Sequence, residues 1–155
     1  MVERYRVMKK LILILFVFLI SLSLNSCSSF NRISQEEVER ITNKAENSKL
    51  ILLDIYHNRC ESCKYIEPVI EKLKEKYSDN ISVAFLKYDL SNPFTIIDSR
   101  KIAKKLGLET IYKSQRFSGI VLFIDTKNKQ TSDTLIGEYN LDKYIEIIEK
   151  RLSAT

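Results

Sequence analysis

At 155 residues, 45% apolar and 29% charged, the chain has the length and composition of one globular domain with a real core, and no internal repeat or low-complexity tract interrupts it. Three Gly and two Pro imply mostly regular structure. The formal charge of +5 invites a nucleic-acid partner, but Arg4, Arg6, Lys9 and Lys10 lie ahead of Cys27 with only Glu3 against them. Without residues 1–26 there remain 21 basic and 19 acidic side chains, a net +2, so the basicity is mostly that of a targeting signal.

That signal is a basic n-region followed by Leu11 to Leu24, apolar apart from Ser21 and Ser23. An export signal needs an apolar stretch of about 7–15 residues and a membrane-crossing helix about 20, so the length predicts export, with an uncleaved N-terminal anchor as the alternative. Leu24-Asn25-Ser26-Cys27 resembles the lipobox of bacterial lipoproteins. The resemblance implies that Cys27 becomes the lipidated first residue after cleavage. The expected organisation is therefore a signal peptide over 1–26, a lipidated tether over 27–34 and a domain over 35–155. The expected place is the bacterial cell envelope, lipid-anchored and facing the periplasm or exterior.

The domain opens on Ser34-Gln35-Glu36-Glu37, the Ser-x-x-Glu form of a capping box, and Val38, Ile41 and Ala45 then predict a helix over about 35–46. Asn47-Ser48 end it. The unbroken apolar run from Leu50 to Tyr56 predicts a strand covered on both faces. Between Cys60 and Tyr77, Ile66, Val69, Ile70, Leu73 and Tyr77 recur at helical spacing, and Pro68 is expected to kink that helix without ending it. After the turn Ser78-Asp79-Asn80, a strand over Ile81 to Asp89 completes a strand-helix-strand unit. Ser91-Asn92-Pro93 break the chain before a helix over about 96–106 with Gly107 as its C-cap, and 108–116 shows no clean periodicity. A buried strand over Gly119 to Asp125, a turn at Lys127-Asn128-Lys129 and a weaker edge strand over Thr131 to Ile136 predict a hairpin. Gly137 precedes a last helix carrying Leu141, Tyr144, Ile145, Ile148 and Leu152.

With Cys27 assigned to lipid, Cys60 and Cys63 are the remaining thiols. A disulfide closing so small a loop adds little stability through chain entropy, so the pair is read as present for exchange. Two thiols at a strand-to-helix junction suit reversible dithiol–disulfide chemistry, and the same spacing also suits a metal knuckle. At a helix N-terminus, Cys60 faces unpaired backbone N–H groups and the positive end of the macrodipole, which stabilise the attacking thiolate. Cys63, one turn further in, keeps the higher pKa and resolves the mixed disulfide. Asp54 is placed to exchange a proton near Cys63, a role that burial and a raised pKa would suit.

From about Lys49 to Leu152 the chain resembles thioredoxin-like proteins. Their redox motif follows a strand as Cys-x-x-Cys-Lys, matched by Cys60, Cys63 and Lys64; an acid six residues before the first Cys is matched by Asp54, and a proline five residues after the second by Pro68. The resemblance implies an α/β thioredoxin-like fold, a central mixed β-sheet flanked by helices, and protein thiol-disulfide oxidoreductase activity with no cofactor and no metal in the site. The pair Cys60 and Cys63 would form the redox-active disulfide. Partners would be exported protein thiols and disulfides together with a membrane or periplasmic redox partner, not nucleic acid. Arg59 stands where the family usually has Trp, Glu61-Ser62 where it has Gly-Pro, and Ser118 where it has a cis-proline facing the thiols. Arg59, Phe117 and Ser118 are the expected substrate contacts, and Ser118 is expected to be trans, because a cis bond at a non-proline residue costs about 2.5–4 kcal/mol. Two other readings stand beside this one: a thioredoxin-fold Cu or Zn module that adds His57 to the thiols, and a redox-inactive adaptor.

Overall fold

In the computed structural model residues 32–154 are described, and the signal segment, Cys27 and the tether as far as residue 31 lie outside the described residues. Helix α1 (Gln35–Glu46) begins where Ser34 Oγ accepts the Glu37 N–H at 3.1 Å. The reciprocal half of the capping box is not made, because Arg40 takes the Glu37 carboxylate at 2.6 and 2.8 Å. Val38, Thr42 and Ala45 are buried while Ile41 sits at the margin. Thr42 enters the apolar interface by donating its hydroxyl to the Val38 carbonyl at 2.9 Å.

Strand β1 (Leu50–Tyr56), helix α2 (Glu61–Lys76), strand β2 (Val83–Asp89), helices α3 (Pro93–Leu106) and α4 (Glu109–Ser114), strands β3 (Ile120–Asp125) and β4 (Gln130–Ile136), and helix α5 (Leu141–Ser153) follow. The sheet order is β2-β1-β3-β4, parallel between β1 and β2 and antiparallel elsewhere. Alternation along β1 divides the core. Ile51, Leu53 and Ile55 pack with Val38 and Ala45 of α1, Ile102, Ala103 and Leu106 of α3, and Tyr112 of α4. Leu50 and Leu52 point the other way, to Ile66, Val69 and Leu73 of α2 and Tyr144 and Ile148 of α5. A strand covered on both faces has no polar side to show, which is why β1 reads as a continuous apolar run. The result is the mixed sheet flanked by helices that the resemblance implies.

The elements differ from expectation in three places. Helix α3 starts at Pro93 rather than near 96: Asn92 Oδ1 accepts the Phe94 and Thr95 N–H groups at 2.9 and 3.1 Å, and Pro93 sits where a missing N–H costs nothing. Helix α4 was unexpected, being too short to show a period; it is held by buried Tyr112, whose ring lies 4.5 Å from that of Tyr88. Strand β2 begins at Val83 rather than Ile81, which is 79% exposed, whereas helix α2 continues past solvent-facing Pro68 without ending, as expected. Gly107 ends α3 as expected, in the left-handed conformation at φ +68°.

Residues 32 and 33, expected within the end of the tether, are tied to α3, and Ser34 caps α1. The Ile33 N–H donates to Asp98 Oδ2 at 3.2 Å and Arg32 pairs with the same carboxylate at 3.6 Å. Among the described residues no helix is long and apolar enough to cross a membrane.

Candidate active site

The site forms where β1 hands over to α2. The end of β1 is fixed by the Leu90 N–H donating to the Tyr56 carbonyl at 2.8 Å, and the turn beyond it by the Asn58 N–H donating to Ser91 Oγ at 2.9 Å. His57 organises this turn. Its carbonyl accepts the Cys60 N–H at 3.0 Å and its Nδ1 the Arg59 N–H at 2.9 Å, which commits that ring nitrogen to the fold. Cys60 is the N-cap of α2, with extended backbone. Its Sγ accepts the Cys63 N–H at 3.2 Å, one of the unpaired donors of the first helical turn. Cys60 and Cys63 are joined as a disulfide with their Cα atoms 5.3 Å apart. Cys60 is partly open to solvent and Cys63 is buried, so an incoming thiol meets the outer sulfur first.

Asp54 lies on the β1 face shared with Leu50 and Leu52, beneath α2, and is only 3% exposed. Its Oδ1 is buried with no hydrogen-bond partner among the described residues. Burial pushes the carboxyl up to about 6; Lys87, opposite it in the β1–β2 register, works against burial, and Glu67 of α2 works with it. Lys87 is in turn held by Glu67 at 2.8 Å and lies 3.9 Å above the Tyr56 ring. A carboxyl that titrates near neutrality under the thiol-bearing helix can take a proton in one half of an exchange and return it in the other.

Facing the thiols is the segment that leads into β3. All peptide bonds among the described residues are trans, that of Ser118 included. Gly119 lies against the start of α2 at φ +78°: a Cβ placed there would lie 2.5 Å from Ser62 Oγ and 3.3 Å from Cys60 Sγ. Ser118 is half-buried beside it, Phe117 is 76% exposed, and Arg59 is exposed to solvent. Phe117 and Ser118 line a cleft of about 500 Å³ with His57, Tyr88, Leu90 and Arg116. Of the three expected substrate contacts, Phe117 and Ser118 line that cleft and Arg59 does not.

Sequence reasoning therefore brought out the thiols, Asp54 and the facing loop, and missed Gly119, Ser62, Lys87 and Glu67. One signal was available for Gly119, since only three glycines occur in the chain and this one opens a strand. Among the described residues no group of three His, Cys, Asp or Glu side chains is gathered as a metal cage, and His57 faces the cleft wall.

The family model described as Thioredoxin matches residues 31–150. Thioredoxin F1, chloroplastic, of Arabidopsis thaliana is 44% identical over 68 residues, covering 44% of this chain and 34% of that protein. The thioredoxin of Coprinus comatus is 28% identical over 86 residues, covering 56% of this chain and 77% of its own. The solved thioredoxin of Malassezia sympodialis aligns at 24% identity and a TM-score of 0.46 over 76% of this chain and 88% of its own. The matched region spans about a third of the length of the chloroplast relatives. The chain belongs to the thioredoxin family.

Proposed function

We propose that the protein is a membrane-tethered, extracytoplasmic thiol-disulfide oxidoreductase that exchanges disulfides with exported proteins through Cys60 and Cys63. The observation that carries the reading is the disulfide at the start of α2, with an accessible outer sulfur and a buried inner one. In the reducing direction the Cys60 thiolate attacks a substrate disulfide: a Cys60–substrate bond forms, the substrate S–S bond breaks, and the released thiolate takes a proton. Cys63 then gives its proton to Asp54 and attacks Cys60 Sγ. The Cys60–Cys63 bond forms, the Cys60–substrate bond breaks, the second substrate sulfur leaves as a thiolate and takes the proton held by Asp54, and two electrons have passed to the substrate. A dithiol donor restores the pair, and the same steps in reverse oxidise a substrate dithiol.

Support for the location comes from residues 1–27, whose basic start, apolar run and Leu-Asn-Ser-Cys ending suit export and lipidation. Replacing Cys63 with Ser is expected to trap cellular partners as mixed disulfides through Cys60, released by reductant and absent when Cys60 is also Ser. Failure to trap any partner, together with no reduction of insulin by the purified chain, would sink the reading. Fatty-acid labelling lost in a Cys27→Ala chain tests the lipid anchor. The direction of flow is read from the reduction potential, for which about −270 mV marks a reductant such as thioredoxin and about −120 mV a strong dithiol oxidant.

A further inference from the structure

Ser62, inside the loop closed by the two cysteines, has no part in the exchange steps above. It is half-buried in the first turn of α2, and its Oγ lies 3.4 Å from Cys60 Sγ. Neither a disulfide sulfur nor a thiolate carries a proton, so in both redox states the hydroxyl is the donor and the sulfur the acceptor. Two donors thus converge on Cys60 Sγ, the Cys63 N–H at 3.2 Å from within the helix and the Ser62 hydroxyl from the side of the facing loop.

The facing loop is shaped around that hydroxyl. Gly119 presents no side chain, and a Cβ there would overlap Ser62 Oγ at 2.5 Å. The loop has little room to retreat, because the Gly119 N–H donates to the Ile55 carbonyl at 2.8 Å and the Gly119 carbonyl accepts the Gly137 N–H at 2.8 Å. We propose that the Ser62 hydroxyl is a hydrogen-bond donor to the Cys60 thiolate, that Gly119 keeps the space open for it, and that this contact sets the acidity of Cys60 and with it the redox poise of the pair.

The charged groups around Cys60 do not replace this contact. Arg59 and Glu61 flank it with opposite signs in solvent, Lys64 is paired with Glu61 at 3.4 Å, Asp54 lies beneath α2, and Arg116 belongs to the facing loop. His57 has Nδ1 engaged by the Arg59 N–H. A hydroxyl on a partly buried sulfur acts at shorter range than the exposed charges of Arg59, Glu61, Lys64 and Arg116, which water screens.

The inference rests on the reading of Cys60 as the exchanging thiol, and its test is separable from that reading. In the whole chain, with Ser62 as wild type, Ala or Thr, Cys60 acidity is read from the pH dependence of alkylation by iodoacetamide, with the modified site located by mass spectrometry. Ser62→Ala is expected to raise the Cys60 pKa by about one unit, a tenfold loss of acidity, and Ser62→Thr, which keeps a hydroxyl, to restore most of it. The reduction potential against glutathione should fall by about 30 mV in the Ala variant above both pKa values, which is that tenfold converted for a two-electron couple. Below the wild-type pKa the gap should close, since the reduced state then carries no thiolate to stabilise. An unchanged pKa in Ser62→Ala would overturn the proposal, as would a potential gap independent of pH, which would put the effect on the disulfide. A wild-type chain that never exchanges with glutathione would overturn the oxidoreductase reading alone, because alkylation measures the acidity of Cys60 without exchange.

Discussion

Asp54 and Ile55 are neighbours on β1, both nearly sealed from solvent at 3% and 0% exposure, yet they face opposite sides of the sheet and do opposite things. Around Ile55 the core is built from aliphatic and aromatic groups of α1, α3 and α4. Around Asp54 the packing is equally close, but the strand position that would hold a third aliphatic after Leu50 and Leu52 holds a carboxyl with an unpartnered oxygen. One face of the strand stabilises the fold, and the other gives up part of that stability for a group that titrates near neutrality.

The sharpest way to break this contrast is to move the carboxyl across the sheet. Ile55→Asp places a charge opposite Tyr88 and Ile120, with no lysine in register, and is expected to destabilise the domain by at least about 4 kcal/mol and leave it unfolded at pH 7 by circular dichroism. A folded variant close to wild type in urea unfolding would show that the two faces are not different in kind. Removing bulk from the apolar face costs less: Leu53→Ala should lower stability by about 3 kcal/mol at every pH.

Asp54→Asn should act in the other direction and only in one pH range. The folded carboxyl titrates at about 6 against an ordinary 3.8, so the folded state holds its proton more tightly than the unfolded chain does. Wild-type stability is therefore full below about 4, falls as pH rises through about 6, and is level beyond. Roughly two pKa units set a ceiling of about 3 kcal/mol, and with a buried amide left behind the expected gain is about 2 kcal/mol at pH 8 and none at pH 4, by urea unfolding of the oxidised chain. The variant should also slow disulfide exchange. Last and smallest, Lys87→Met should raise the Asp54 pKa further and Glu67→Gln lower it, each by less than about one unit given the partial exposure of the pair, as followed by carboxyl carbon shifts.

Legibility in the sequence followed the range of the interactions. Cys60, Cys63, Asp54 and Pro68 lie within 15 residues of one another, and strand and helix periodicity alone sets their relation. The start of α3 was missed by three residues although its capping box is local, because Thr95 in place of Glu or Gln disguised it. Helix α4 owes its existence to Tyr112 meeting Tyr88, which no window of 108–116 contains. The facing loop was placed correctly in the chain, but the close approach of Gly119 to Ser62 and Cys60 is a matter of β3 register against β1. Lys87 and Glu67 are 20 residues apart and come to bear on Asp54 only once β2 lies beside β1 and α2 lies over them.

The fastening of residues 32 and 33 to Asp98 has a mechanical meaning. That one carboxylate gathers the Ile33 N–H, Arg32 and Lys101. Burial pushes its pKa up, but the Ile33 N–H and Lys101 outweigh burial and leave it below the usual carboxylate range, so the clasp loosens only as pH falls through that lowered value. A pull on the chain ahead of residue 32 is therefore shared between α3, through the clasp at Asp98, and α1, through the covalent chain.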